Sequence, residues 1–412
     1  MMLSPARRGL IVRAIRRLYS SIGAILRVLQ IVIARGAALG DGGTQSMPRF
    51  AAGRRISQRW AGSEDALSAA SGAAKPIWLL ILALAAAAAV AKLGVGVSIG
   101  FRDILGVGLI VIIPLAVSAV YAIARKEADV RIARLARAAV EMILLTFLCG
   151  SLSYSATSLD RPLWDAVFHA WDQAIGFDWR YWLAVLDGQP RLNMLLVLAY
   201  HSMWPLVALV IMALVTVRDY RRLDVLLLAF GLGAVATVTI AAFMPALSPL
   251  PYYQITPSDH PHISLAVPRE FEAQALALRS GAMRVIELSG AQGLVTFPSF
   301  HTVTAILLLL GFWRVPYLRW VSLVLNGLML LAIPIEGSHY LVDVIAAVPV
   351  ALMAWKAAAI LIELSARATS RHLAISSRVE LPSGHPEGLV PQLPTSGART
   401  PVFSICQKSK AG

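Results

Sequence analysis

Two histidines lie in short polar motifs at the starts of apolar blocks in the C-terminal half of the chain. The first motif is Pro298-Ser299-Phe300-His301, and the second is Gly337-Ser338-His339-Tyr340-Leu341-Val342-Asp343. His339 and Asp343 are four positions apart, so a helix places them on one face with a rise of about 6 Å. An aspartate at that distance fixes the imidazole tautomer and stabilises its cationic form. The pattern predicts a nucleophilic His339, with His301 as a proton donor to a leaving oxygen.

The apolar blocks must bring these motifs together. The chain has 412 residues, of which 58% are hydrophobic and 15% are charged, whereas soluble domains carry about 25% charged residues. The hydrophobic residues form blocks of roughly 20 residues, the length that crosses a bilayer. Eight spans are predicted near 77–99, 103–123, 138–157, 192–217, 223–246, 299–315, 318–335 and 340–362. The sequence therefore predicts an all-α polytopic membrane bundle of about eight transmembrane helices, with a six-helix catalytic core.

Basic residues orient the predicted bundle. They follow the second, fourth and sixth spans: Arg125, Lys126, Arg131, Arg134 and Arg137, then Arg218, Arg221 and Arg222, then Arg314 and Arg319. This face is cytoplasmic by the positive-inside rule. The net charge of +14 therefore indicates membrane topology, and nucleic-acid binding is not expected. His301 and His339 both begin spans on the opposite face, so we expect an active site facing the periplasm or exterior of the plasma (inner) membrane.

The remaining segments divide around this bundle. Residues 1–75 are predicted to be a basic N-terminal tail, partly disordered or interfacial, and residues 76–130 to form two accessory transmembrane helices. Residues 158–191 are rich in aromatic side chains and are expected to form a re-entrant or surface helix at the membrane interface. Residues 365–412 are polar and are predicted to be a disordered C-terminal tail.

The two motifs resemble the second and third signatures of the type-2 phosphatidic acid phosphatase superfamily. Phe297 to His301, together with the Pro-rich exit of the fifth span from Met244 to Tyr253, is most similar to its aureobasidin-sensitive branch, which contains the inositol phosphorylceramide synthases. The resemblance covers residues 138–362 as the catalytic core. It implies that His339 forms a phosphohistidine and that Asp343 orients it. It also implies that His301 protonates the departing alcohol and then acts as base on the acceptor.

The sequence departs from the phosphatase branch where that branch holds phosphate. The first signature of that branch, Lys-x6-Arg-Pro, has only a look-alike at Arg161-Pro162, because Tyr154 stands at the lysine position. The Ser-Arg pair before the nucleophile is replaced by Ala332 and Ile333. These departures favour the transferase-like branch. The predicted substrate-binding residues are Arg279 for the phosphate, with Ser299, Tyr253, Glu336 and His201. The other candidates for the phosphate are Arg284, Arg269 and Arg161.

The predicted function is an inositolphosphotransferase-like phosphotransferase that moves a phosphoryl or phosphoalcohol group from a lipid-linked donor to an alcohol or water. No cofactor or metal is expected, and the membrane lipids are the expected surroundings. Three alternatives stay open. They are a lipid phosphate or lipid pyrophosphate phosphatase, an iron or zinc site built from His301, His339 and Asp343, and a non-enzymatic membrane transporter or scaffold. The sequence makes no prediction of oligomeric state.

Overall fold

The computed structural model describes residues 75–124, 127–255, 260, 263, 270–287 and 293–379. The predicted N-terminal tail lies outside these residues except for Lys75, and so does the predicted C-terminal tail beyond residue 379. The chain divides into two units, the first ending at Ser370 and the second beginning at Arg371. In the second unit, the described residues 371–379 are helical.

The described part of the first unit is almost entirely helical, which confirms the all-α prediction. In chain order the elements are α1 Lys75–Val95, β1 Ser98–Ile99, α2 Phe101–Ala124, α3 Glu127–Thr157, α4 Asp165–Ala174, α5 Trp179–Asp187, α6 Pro190–His201, α7 Met203–Thr216, α8 Tyr220–Phe243, α9 Pro249–Tyr252, α10 Glu270–Arg279, β2 Val285–Ile286, α11 Phe300–Phe312, α12 Leu318–Glu336 and α13 Leu341–Val379.

Six of the described helices are long and apolar enough to cross a membrane, namely α1, α2, α3, α8, α12 and α13. A seventh span results if α6 and α7 are taken as one helix bent by 46°. Pro205 in the first turn of α7 explains the bend, because it has no N–H to donate to the carbonyl of His201. The predicted span near 299–315 is the 13-residue helix α11, which is shorter than a typical transmembrane helix. These helices indicate an integral membrane protein.

Helix α8 packs against α1, α3 and α11, and in its N-terminal half every residue from Leu223 to Phe230 is buried. Gly233 allows α11 to approach closely, since a Cβ at this position would lie 2.8 Å from Cγ1 of Val303. Small residues permit such close helix contacts in membrane bundles. The short helix α11 is therefore held in the interior of the bundle, where it carries His301.

The connection between α1 and α2 pairs with a segment from the other side of the core. Strand β1 runs parallel to β2, and Ser98 N–H donates to the Arg284 carbonyl at 2.8 Å. The Arg284 guanidinium in turn donates to the carbonyl of Val95 at 2.9 Å. The helices predicted as accessory are thus tied to the segment that precedes α11.

The aromatic segment predicted to lie at the interface contains two short helices, α4 and α5, and several of its rings are buried. Trp179 is fully buried, and its Nε1–H donates to the Pro334 carbonyl at 2.7 Å. Phe168 is also fully buried and stacks on Phe297 with ring centroids 4.4 Å apart. The segment therefore packs against α12 and against the residues that lead into α11.

Candidate active site

His339 lies in the turn between α12 and α13, and Asp343 lies in the first turn of α13. Nδ1 of His339 is 3.0 Å from Oδ2 of Asp343, and this oxygen also accepts the Tyr340 backbone N–H at 3.0 Å. A carboxylate only accepts hydrogen bonds, so Nδ1 carries the proton and Nε2 carries the lone pair. Burial lowers the pKa of His339 to about 4, and a hydrogen bond with the Thr296 backbone opposes this. The imidazole is therefore neutral near pH 7, as a nucleophile must be.

The turn before His339 is tightly constrained. A Cβ at Gly337 would lie 2.9 Å from Cδ2 of His339 and 3.0 Å from Cε2 of Tyr200, so a larger residue would displace one of these rings. Ser338 has a φ of 48°, which is unfavourable for a residue with a side chain. Its Oγ donates to Oγ of Ser248 at 3.1 Å and accepts the Leu250 N–H at 3.2 Å. These bonds hold the strained turn in place.

His301 lies in the first turn of α11, next to the N-cap residue Ser299. The Ser299 hydroxyl accepts the Thr302 N–H at 3.4 Å, which is the usual role of a serine at this position. The His301 ring stacks on Tyr200 from α6, with centroids 4.4 Å apart and planes 18° apart. The Tyr200 hydroxyl is 3.4 Å from Nδ1 of His301. Tyr200 thus fixes the orientation of the imidazole.

The two imidazoles share one cavity of about 560 Å³. They are close enough to interact electrostatically. The starts of their helices are also joined directly, because the Ser299 backbone N–H donates to the Asp343 carbonyl at 3.1 Å. The structure therefore brings His301, His339 and Asp343 together at one end of the bundle.

The cavity walls are mostly apolar, with hydroxyl groups near the histidines. Among the described residues that line the cavity, none is lysine or arginine. The hydroxyl-bearing lining residues are Thr146, Ser151, Ser153, Tyr154, Tyr200, Thr237, Ser248, Thr296 and Ser338. Negative charge in this cavity can be stabilised by these hydroxyls, by an imidazolium and by N–H groups at the start of α11.

Asp165, in the first turn of α4, holds the Pro-rich turn after α8. Its carboxylate accepts the backbone N–H groups of Leu247 and Ser248, each at 3.0 Å. It also accepts the Tyr340 hydroxyl at 3.0 Å. Asp165 therefore connects the residue after His339 with Ser248 in the cavity wall. No motif in the sequence marked Asp165 as part of the site.

Asp172 lies seven positions after Asp165 on the same face of α4. It holds the start of α13. Its carboxylate accepts the backbone N–H groups of Leu341 and Val342, each at 2.9 Å, and a negative charge is favourable at a helix N-terminus. Burial raises the pKa of Asp172 to about 7, and nearby Asp343 adds to the increase, while the two backbone bonds oppose it. The sequence signal that could have indicated these two residues was their spacing, because residues seven apart lie on one helix face.

Arg279, predicted to hold the phosphate, does not line the cavity. Its guanidinium pairs with Asp160 at 2.8 Å and donates to the carbonyl of Arg161 at 2.7 Å. Arg161 lies over the Phe243 ring at 5.0 Å and is also outside the cavity lining. The structure therefore places Arg279 in a contact between α10 and the segment before α4, away from both histidines.

The other predicted substrate-binding residues surround the site without lining the cavity. Ser299 caps α11 and is fully buried, and Glu336 is fully buried beside Tyr200. His201 is exposed at the bend between α6 and α7 and interacts electrostatically with His301. Tyr253 stacks on Trp179, and its hydroxyl is 2.7 Å from Nδ1 of His169. Contact of these residues with a substrate stays a prediction.

The metal alternative rested on His301, His339 and Asp343. Within the part of the chain that the structure describes, no three histidine, cysteine, aspartate or glutamate side chains are grouped as a metal site requires. Oδ2 of Asp343 is instead bound to Nδ1 of His339. The carboxylate is thus placed to orient the imidazole.

One family model matches the segment of the chain that contains this site. Residues 166–357 match the family model described as PAP2 superfamily. The match begins in α4 and ends in α13, while α1, α2 and α3 lie outside it. No curated protein and no solved structure matched the chain. The segment that carries both histidines and Asp343 therefore matches the PAP2 superfamily.

Proposed function

We propose that the protein is an integral membrane phosphotransferase that acts on a lipid-linked phosphate through a phosphohistidine at His339. The observation that carries the proposal is the arrangement of Nδ1 of His339 against Asp343, at 3.0 Å, in a cavity shared with His301. The match of residues 166–357 to the PAP2 superfamily supports lipid phosphatase or phosphotransferase chemistry.

In the first step, Nε2 of His339 attacks the phosphorus atom of the donor. The bond from phosphorus to the lipid oxygen breaks, and its electron pair stays on that oxygen. Burial and the neighbouring His339 and His201 disfavour a charged His301 before the donor binds, so the negative charge of the bound phosphate must stabilise its imidazolium form. The imidazolium then gives its proton to the departing oxygen. Asp343 accepts the Nδ1–H and stabilises the positive charge that develops on His339. The products are phosphohistidine, a neutral lipid alcohol and a neutral His301.

In the second step, the acceptor hydroxyl loses its proton to His301 as its oxygen attacks phosphorus. The bond between phosphorus and Nε2 of His339 breaks, and the electron pair returns to the imidazole. His301 is again an imidazolium, so the catalyst is regenerated. One histidine thus serves as acid and then as base, which follows from the symmetry of the two half-reactions.

The cavity favours an alcohol as acceptor over water. Its described lining has no lysine or arginine and is largely apolar, and Ala332 and Ile333 in α12 are fully buried apolar residues where the phosphatase branch has Ser-Arg. A site that excludes water protects phosphohistidine from hydrolysis. We therefore extend the proposal to an inositolphosphotransferase-like reaction, with the site on the periplasmic or exterior side.

Trapping of the intermediate tests the proposal. Purified protein in nanodiscs would be incubated with phosphatidate or phosphatidylinositol that carries radiolabelled phosphorus, then quenched in alkali. Acid-labile label on the peptide that contains His339 is the expected result, and His339→Ala should abolish it. Stable activity of His339→Ala, or the absence of label from wild-type protein with both lipids, would contradict the proposed chemistry and favour a transporter or scaffold.

The acceptor is tested in the same preparation. Donor lipid would be supplied with and without myo-inositol or diacylglycerol as a candidate alcohol, and free phosphate would be measured. We expect turnover to depend on the alcohol. Release of free phosphate at the same rate in either case would identify a lipid phosphatase.

A further inference from the structure

An apolar groove runs along the membrane-facing side of α3 and α7. It is lined by Leu135, Ala139, Met142, Ile143, Thr146 and Phe147 from α3 and by Trp204, Val207, Ala208, Ile211 and Met212 from α7, with a volume of about 560 Å³. On α7 these residues follow the spacing of a single helix face, and those on α3 do the same. Thr146 is the only lining residue with a polar side chain apart from the indole of Trp204. The groove therefore fits a hydrocarbon ligand.

The groove adjoins the cavity that contains the two histidines. Thr146, Phe147 and Trp204 line both spaces. Trp204 is 48% exposed, so its ring lies between the cavity and the membrane-facing surface. A lipid with its phosphate beside His339 would therefore meet the groove at these three side chains.

The groove is long along α3. Thr146 and Leu135 are eleven positions apart on this helix, which corresponds to about 16 Å along its axis. That length is half of a hydrocarbon core that is about 30 Å thick. Arg134, next to Leu135, is paired with Asp224 inside the bundle and does not line the groove.

Two small residues create the space. Ala139 on α3 is half-buried and Ala208 on α7 is exposed toward the membrane side. Larger side chains at either position would fill the groove without touching the histidines, since neither alanine lines the catalytic cavity. Helix α3 lies outside the segment that matches the PAP2 superfamily, whereas α7 lies inside it.

We infer that this groove holds one hydrocarbon chain of the lipid donor and that its depth makes the protein selective for long chains. The inference rests on the proposed function, because the chain must belong to a lipid whose phosphate reaches His339. The three side chains shared with the cavity, the length along α3 and the apolar lining favour a lipid chain as the occupant.

The test compares chain lengths in groove-filling variants. Ala139→Phe and Ala208→Phe would be assayed in mixed micelles with dipalmitoyl and dioctanoyl phosphatidate. The ratio of kcat/KM for the long-chain lipid to that for the short-chain lipid should fall at least tenfold in each variant. Ala86→Phe is the matched control, because Ala86 is exposed on α1 and lines neither space. The ratio for this control should equal that of wild type. Equal ratios in all four proteins would overturn the inference that the groove binds a lipid chain.

A second measurement does not depend on turnover or on the folding of a variant. Wild-type protein would be photolysed with a phosphatidate that carries a diazirine near the end of one acyl chain, and the adducts would be mapped by mass spectrometry. Adducts on α3 and α7 are expected, and adducts confined to other helices would overturn the inference. Adducts in the groove without any phosphohistidine would contradict the proposed reaction and leave the chain site in place.

Discussion

The backbone N–H of Ser299 donates a hydrogen bond to the carbonyl of Asp343 at 3.1 Å. Ser299 is the N-cap of the helix that carries His301, and Asp343 holds Nδ1 of His339. One backbone bond therefore fixes the start of one catalytic helix against the start of the other. Such fixed placement matters because phosphoryl transfer depends mainly on the positions of the reacting groups.

Replacing Asp343 by Asn should lower kcat by about 10²- to 10⁴-fold. Asparagine can present its NH₂ group to Nδ1, which would favour the tautomer with the proton on Nε2 and remove the attacking lone pair. The measurement is kcat in mixed micelles together with the yield of labelled His339. Asp187→Asn is the control, since Asp187 faces His260 outside the cavity. An Asp343→Asn enzyme within threefold of wild type would refute the orienting role.

Tyr200→Phe should lower kcat by several-fold, in line with a hydrogen bond worth about 1 kcal/mol. The change removes the hydroxyl that lies 3.4 Å from Nδ1 of His301 and keeps the stacked ring. Tyr200→Ala should cost more, because His301 also loses the stacked ring. Both variants would be compared by kcat and by thermal unfolding. Equal activity of the Phe and Ala variants would show that ring stacking does not orient His301.

The histidines could be predicted from local motifs, whereas the contacts between distant segments could not. His339 and Asp343 are related by a single helical turn, so their spacing in the sequence sufficed. Asp165, in contrast, meets Ser248 through a backbone N–H 83 positions away, and no side-chain pattern marks such a partner. Arg279 lies in the segment predicted to be outside the membrane, but its pairing with Asp160 depends on how that segment folds.

Arg279→Ala should keep kcat/KM within about threefold of wild type, because Arg279 lies outside the cavity lining. The variant should lose roughly 1 kcal/mol of stability, since its guanidinium donates to the Arg161 carbonyl. Asp160→Asn removes only the charge of the partner, so it should lower the stability less than Arg279→Ala does. A drop in kcat/KM of more than tenfold for Arg279→Ala, with unchanged thermal unfolding, would support the phosphate-binding role predicted from the sequence.

The acidic limb of the kcat/KM profile should lie near pH 4. Burial lowers the pKa of His339 to about 4, and the histidine must be unprotonated on Nε2 to attack phosphorus. Activity is therefore retained as pH falls through 6.5, the ordinary pKa of histidine, and is lost only below about 5. Size-exclusion profiles at each pH would separate this limb from unfolding. A limb centred near pH 6.5 would show that His339 is solvated in the working enzyme.

Asp172→Asn should lower stability and kcat while leaving KM nearly unchanged. The Asp172 carboxylate accepts two N–H groups from the first turn of α13, each at 2.9 Å, whereas an asparagine has one carbonyl oxygen for them. The cost of poorly satisfying a buried N–H is about 1–3 kcal/mol, and the resulting shift of α13 would move Asp343 relative to His339. Asp178→Asn is the control, because Asp178 caps α5 and asparagine is an equally good N-cap. Thermal unfolding and kcat of the two variants would be compared, and identical values would remove Asp172 from the set of positioning residues.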